Sequence, residues 1–300
     1  MTFFQFMEKF STEEKVINYW INIRYPDGIK CNHCGSVHVY QVKDRPKNFY
    51  CGDCINHFSV FKDTIFEKSS TDLRKWFYAI HLFLNAKKGI SAKQLQRETG
   101  VTYKTAWRML QQIRIAMGNQ GNPEFFETII EMDETYVGGK PRKRNTKNND
   151  DDKTNKRGRG TSKTPVVGVV DRNDKKVHAR VALPNNKGQK LTGKQLLNIL
   201  NDVCDFDSKN VIMTDEFRGY NILNKEKKCI RFYVDHQKKY ANGMIHTNTI
   251  ESFWAIVKRA IYGIYHHVSV KYLQRYIDEF CFRYNNRELS FNQLLVQAIL

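Results

Sequence analysis

The chain has 300 residues, 41% of them hydrophobic and 13% aromatic, which is enough to bury a core and to form about two domains at ~100–200 residues each. Its 49 lysines and arginines stand against 31 acids, a net charge of +18 and a pI near 9.5, so the first expected partner is a polyanion, nucleic acid above all. No run of about 18 apolar residues exists to span a membrane, and Glu8 interrupts the amino terminus where a signal peptide would have its apolar stretch, so the chain is expected to be intracellular.

Ser11, Thr12, Glu13 and Glu14 start a helix that continues with Val16, Ile17, Trp20 and Ile21 at helical spacing. Two C-x2-C knuckles follow, Cys31/Cys34 and Cys51/Cys54, sixteen residues apart. That is the spacing of a four-cysteine zinc site, with the alternating segment from Val37 to Tyr50 supplying hairpins. An intracellular chain argues against a disulfide framework. His33, His38 and His57 are expected at the surface, and Cys204, Cys229 and Cys281 as small buried hydrophobes.

A helical region runs from Thr71 to Gly89. Next, a short helix capped by Ser91 stops at Gly100, and Thr102 caps a second helix whose early exposed positions are Tyr103, Lys104 and Arg108. This is a helix-turn-helix layout, in which the second helix enters the major groove; the same pattern also occurs as a plain helical hairpin.

The run from Glu127 reads as a strand ending at Asp133, and Asn210 to Asp215 as a second. In α/β sheets, residues at the carboxyl ends of strands line the ligand crevice. Between them, residues 138–164 form a basic, polar insert expected to be a mobile loop, either within reach of a phosphate backbone or a solvated linker. Strands are expected over 166–170 and 177–183 with a turn at 171–174, then a helix over 189–203, a short helix near 217–223 and a strand over 230–234. The segment from His246 to Arg259 places Ile250, Phe253, Trp254, Val257 and Ile261 at helical spacing, with Glu251 and Lys258 two turns apart on nearly the same face. A last helix over 268–284 buries Leu273, Tyr276, Ile277, Phe280 and Cys281. Three strands, then helix, strand, helix, strand and helix is the order of an RNase H-like mixed sheet flanked by helices. Asp133, Asp215 and Glu251 can converge in it on a hard divalent cation, which takes oxygen ligands. Glu134 and Glu216, beside the aspartates, are expected to support them or to lie at the surface.

The cysteine knuckles, the helix pair, Met132 to Gly139, Thr214-Asp215, and His246 to Arg259 followed by Gly263 and His266 to Ser269 together resemble the zinc-ribbon DDE transposases of bacterial insertion sequences. The resemblance covers nearly the whole chain. It implies an amino-terminal helix and zinc ribbon over 1–70, a helix-turn-helix region over 71–120 and an RNase H-like catalytic domain over 121–300. It further implies two Mg2+ (or Mn2+) ions held by Asp133, Asp215 and Glu251, with terminal inverted repeats and target DNA as substrates for a homodimer or higher oligomer in the bacterial cytoplasm, at the nucleoid. Some members carry asparagine at the third acidic position, which makes Asn248 the other candidate there.

Two metals on either side of an in-line displacement would serve strand cleavage by water and then strand transfer by the freed 3′-hydroxyl. Lys258, with Arg259 beside it, is expected on the DNA backbone next to the scissile phosphate. A zinc-containing transcription regulator would account for the first 120 residues but leaves the carboxylates without a task; a nuclease or resolvase on the same fold would cut without joining.

Overall fold

The computed structural model describes residues 1–118, 126, 129–139, 163–184, 191–204, 210–225, 229–234, 243–289 and 293–296. The chain divides into two compact units, Met1–Asn119 with Glu288–Leu300, and Gln120–Arg287.

The first unit opens with a helix the hydrophobic pattern did not single out, α1 (Phe3–Lys9), started by a Thr2/Gln5 capping box. In α2 (Glu13–Arg24) the Thr12 side chain accepts from the Lys15 amide, and two glutamates in the first turn suit the helix dipole. The ribbon is a three-stranded antiparallel sheet of β1 (Val39–Gln41), β2 (Asn48–Cys51) and β3 (His57–Ser59). Phe49 and Phe58 face each other across β2 and β3 with ring centroids 6.1 Å apart. Glu13 ties helix and ribbon together, accepting from Lys47 Nζ at 2.8 Å and from the Leu73 amide at 3.2 Å. Buried Trp20, Phe66, Trp76 and Phe77 fill the space between α2 and α3 (Leu73–Asn85), and the Trp20 indole donates to the Val60 carbonyl at 3.0 Å, so its polar edge is satisfied. Then come α4 (Ala92–Thr99) and α5 (Tyr103–Gly118). Ser91 caps α4, Gly100 ends it in the left-handed region at φ 68°, and Thr102 accepts from the Thr105 amide at 3.2 Å to start α5.

In the second unit, β4 (Ile129–Val137), β5 (Thr164–Asp171), β6 (Val177–Val181), β7 (Asn210–Asp215) and β8 (Cys229–Val234) form one sheet in the order β6-β5-β4-β7-β8. The first three strands are antiparallel, β7 runs parallel to β4 and β8 parallel to β7. This is the RNase H-like order. One face packs on α6 (Gly193–Asn201) and the 3-10 helix Arg218–Lys225, through Ile130, Met132, Val167, Val169, Leu196, Leu200, Ile212 and Tyr220. The other packs on α7 (Asn248–Ala260) and α8 (Val270–Asn285), through Val166, Val170, Phe253, Trp254, Val257, Ile277 and Phe280. The alternation of Val166 to Val170 between the two cores is the period-2 consequence of a strand buried on both sides. A single π turn, Ile261–Tyr265, closes α7.

The structure moves one expected boundary. Asp133 does not end its strand; β4 runs on to Val137 because β5 stays paired with it up to Val137 opposite Thr164. On the other side, the described β4–β7 ladder has Glu131 opposite Met213 as its last pair, so Asp133 stands just past that ladder, level with Asp215 at the end of β7. α6 starts at Gly193 behind its Thr192/Gln195 capping box, and residues 185–190 lie outside the described residues. So do residues 140–162, on which most of the basic insert falls.

Candidate active site and metal centre

In the ribbon, Cys31, Cys34, Cys51 and Cys54 bring their sulfurs within 4.8 Å of one another. Two close approaches cross between knuckles, Cys31 to Cys54 at 3.5 Å and Cys34 to Cys51 at 3.6 Å. A disulfide would need about 2.05 Å, whereas a tetrahedron with Zn–S bonds of about 2.3 Å has edges near 3.8 Å. The donor set and its spacing therefore fit zinc. The knuckles repeat each other: the Gly35 amide donates to the Cys31 carbonyl and the Ile55 amide to the Cys51 carbonyl, and Gly35 and Ile55 both take positive φ. The Asn56 backbone and side-chain N–H groups pull the Cys54 thiol down to about 6. His33, His38 and His57 lie exposed.

Tyr103, Lys104 and Arg108 all stand exposed on the first two turns of α5, Tyr103 at 50%, with Ala106, Met109 and Leu110 buried behind them. At the far end of α7, Lys258 and Arg259 are exposed in the last turn, about 10 Å along the axis from Glu251 at 1.5 Å per residue.

The acidic site forms where β4 and β7 part. Carboxylate oxygens of Asp133, Glu134 and Asp215 lie within 4.8 Å of one another. Strand alternation turns Asp133 and Asp215 to the α7 side and Glu134 to the other; Glu134 reaches the cluster while accepting from the Tyr220 hydroxyl at 2.9 Å. Burial, then the negative charges of Glu134 and Asp215 and more weakly of Glu251, push the Asp133 carboxyl well above the usual carboxylate range. Burial likewise pushes the Tyr220 hydroxyl up, helped by Glu134, Asp133 and Asp215, so it stays a donor. Asp215 also accepts from the Phe217 amide at 3.0 Å, which closes the turn leaving β7. Arg231 on the edge strand donates to the Thr214 hydroxyl at 2.9 Å and the Asp215 carbonyl at 3.0 Å, fixing that strand end.

Of the three expected acids, the structure brings Asp133 and Asp215 together with Glu134, whereas Glu251, exposed on the first turn of α7, lies outside that cluster and only adds a weak negative charge to those that raise the Asp133 carboxyl. Glu251 accepts from the Thr247 hydroxyl at 2.8 Å. Asn248 is exposed at the first position of the same helix. Glu134 is nearer to the aspartates than a merely supporting role required, and its neighbour Glu131 on β4 is fully buried. The strand pattern carried a signal for Glu131: an acid on the inward side of an otherwise apolar strand has to be paired. Its partners, Arg172 and the start of α7, lie too far away in sequence to be read from any local pattern.

A transposase zinc-ribbon domain matches residues 11–57, and an ISXO2-like transposase domain matches residues 126–285. An uncharacterized protein of the transposable element ISH50 from Halobacterium salinarum is 31% identical over 265 residues, 84% of each chain. Similar solved structures include the Mos1 strand transfer complex, at 12% identity and TM-score 0.32 over 70% of this chain and 72% of that one. A simian T-cell lymphotropic virus intasome in complex with the PP2A regulatory subunit B56 gamma matches at 14% identity and TM-score 0.30, over 73% and 65%. Likenesses that remote add nothing to the strand order already described. A match to the catalytic-domain family over more than half of the chain, together with the ribbon match and the relative, identifies the chain as a member of the ISXO2-like transposase family.

Proposed function

We propose that this transposase binds the terminal inverted repeats of its element through the ribbon and α5, and catalyses metal-dependent cleavage and strand transfer of DNA with Asp133, Asp215 and Glu251. The observation that carries the reading is the packing of carboxylates at the β4–β7 gap: like charges this close, with Asp133 strained toward its protonated form, make a site that a divalent cation would relieve. An all-oxygen donor set suits Mg2+ or Mn2+. When bound, such cations supply electrostatic stabilisation to both sides of an in-line displacement at phosphorus. The chain's own groups position that charge: Arg231 and the turn at Phe217 fix Asp215, Tyr220 holds Glu134, and the Thr247 hydroxyl orients Glu251. Lys258 and Arg259 offer exposed cations for the DNA backbone at the far end of the same helix. Four thiolates close the zinc coordination sphere, which gives the ribbon a structural part and no open position for chemistry.

The test is to incubate the full chain with a labelled duplex carrying the element's ends and with Mg2+ or Mn2+. Cleaved and joined products are expected from the wild type. Asp133→Asn, Asp215→Asn and Glu251→Gln should bind the ends yet give no cleavage, a loss of at least about 100-fold of the kind seen when a catalytic charge is removed. End binding without cleavage under either cation would make the protein a DNA-binding regulator, and cleavage without joining a nuclease. Retained cleavage in Glu251→Gln with loss in Asn248→Ala would move the third ligand to Asn248.

A further inference from the structure

We propose that Glu131 is the positioning residue for the helix that carries Glu251; the proposal rests on the role assigned to Glu251 above. Glu131 lies on β4, two residues before Asp133 and on the same strand face, and is fully buried. Its carboxylate is occupied from the start of α7. Oε2 accepts from the Thr249 amide at 2.8 Å and the Ile250 amide at 2.9 Å, and Oε1 accepts from the Thr249 hydroxyl at 2.9 Å. Those two amides are the second and third of the helix, the donors that an N-cap side chain normally satisfies. Here the local N-cap does something else: the Thr247 side chain makes no capping hydrogen bond, and its hydroxyl donates instead to Glu251. The cap has thus been transferred to a strand residue 118 positions away in sequence. A negative charge at that helix end is also favoured by the helix dipole.

Arg172, just past the end of β5, completes the arrangement. Its Nε donates to Glu131 Oε1 at 2.6 Å, Nη1 to the Met244 carbonyl at 2.7 Å, and Nη2 to the His246 carbonyl, while His246 Nδ1 lies 3.4 Å from Glu131 Oε1. One carboxylate therefore joins the strand of Asp133, the segment leading into α7 and the first turn of α7. In that turn Glu251 follows the last capped residue directly. Because Glu131 and Asp133 are on one rigid strand, capping by Glu131 sets how far Glu251 stands from Asp133. A glutamate that only neutralised Arg172 would have no need to spend an oxygen on two helix amides.

Glu131→Gln keeps the side-chain shape, removes the charge and turns one acceptor into a donor facing an amide or Arg172. Two readouts on the full chain test the role: the Mn2+ concentration at half-maximal thermal upshift, and cleavage of an end duplex at saturating Mn2+. Groups that orient metal ligands from behind are worth about 10–100-fold in metal affinity or activity, and a rise of that size in half-saturating Mn2+ is expected, with end binding unchanged. The double variant Glu131→Gln/Arg172→Met separates capping from charge neutralisation. If Glu131 positions α7, the double variant regains thermal stability but not Mn2+ affinity; full recovery of both overturns the proposal. Should Glu131→Gln fail to fold, Thr249→Val removes only the hydroxyl donor and should raise half-saturating Mn2+ by a few-fold, and no rise overturns the proposal. Glu251→Gln is run alongside: if it cleaves normally, the reading of Glu251 itself has failed, whereas its loss of cleavage beside a wild-type Glu131→Gln refutes the positioning role alone.

Discussion

Asp133 is where the fold's stability and the proposed chemistry conflict. Three carboxylates share one gap, and burial with the neighbouring charges raises the Asp133 carboxyl well above its ordinary range. A carboxyl whose pKa is raised on folding contributes stability that is fully present below the unfolded value of about 3.9 and is lost as pH rises through the folded value. In the metal-free protein, Asp133→Asn should therefore raise the melting temperature at neutral pH, by about 2–4 °C for each kcal/mol of repulsion removed in a unit of this size, and the gain should vanish as pH falls toward 4. The same variant should lose the upshift that Mn2+ gives the wild type. Calorimetry with and without Mn2+ decides it; a variant that melts lower than the wild type without metal would mean that Asp133 is held by favourable partners rather than strained. Gly168 is the second sensitive residue. It pairs with Asp133 across β4 and β5, and a Cβ there would stand 2.6 Å from Trp254 and 2.8 Å from Ile250 on α7. Only glycine lets that helix sit so close to the sheet. Gly168→Ala should cost about 1–3 kcal/mol as an overpacked site and, by pushing α7 outward, reduce cleavage more than end binding. Denaturant midpoints and cleavage rates would show it, and an alanine variant as active and stable as the wild type would mean the helix has slack.

Among the elements, those with a strong local period are legible in the sequence alone. The Ser91 cap, the left-handed Gly100 and the Thr102 start of α5 follow from side-chain chemistry within a few residues, as do the two cysteine knuckles and the apolar stripe of α7. The strands of the sheet were legible as strands, but the length of β4 was not: whether a strand stops at Asp133 or at Val137 depends on how far β5 stays beside it, a pairing between segments that the basic insert separates. The site shows the same division. Asp215 is legible from a strand end and Asp133 from an expected one that the structure moves on to Val137, whereas Glu134, expected only to support the aspartates or to lie at the surface, points by alternation to the other face, and the gap past the β4–β7 ladder lets its carboxylate reach round. α5 yields its own test. Tyr103, Lys104 and Arg108 are exposed on its first two turns, the part of a recognition helix that meets base edges. Arg108→Glu should weaken binding to the element's ends by about 1–3 kcal/mol and lower the salt slope by about one, with a smaller loss on random duplex. Titrations at several salt concentrations measure both; equal losses on the two DNAs would reduce Arg108 to a phosphate contact.

At the scale of the whole molecule, the two candidate metal sites belong to different compact units, the cysteines to the one containing Met1–Asn119 and the carboxylates to Gln120–Arg287. Each unit has its own core: an aromatic one around Trp20, Phe66 and Trp76, and a two-faced sheet core around Val166 to Val170. The net charge of +18 favours any polyanion without regard to sequence, so charge alone would not direct the protein to the element's ends. Under the proposed function that selectivity comes from the first unit and the cutting from the second. A structural zinc with four thiolates supplies folding free energy outright, added to what the short strands of 3, 4 and 3 residues, the Phe49–Phe58 contact and the Lys47–Glu13 pair contribute. Removing zinc with a chelator that leaves Mn2+ available should therefore unfold the ribbon and abolish preference for the ends, while the second unit keeps its fold and its Mn2+ upshift. Elemental analysis should find one zinc per chain before chelation. Differential scanning calorimetry should resolve a zinc-dependent transition apart from a Mn2+-dependent one. If stripping zinc also erased the Mn2+ upshift, the second unit could not hold its carboxylates without the first, and recognition and catalysis could not be divided in this way.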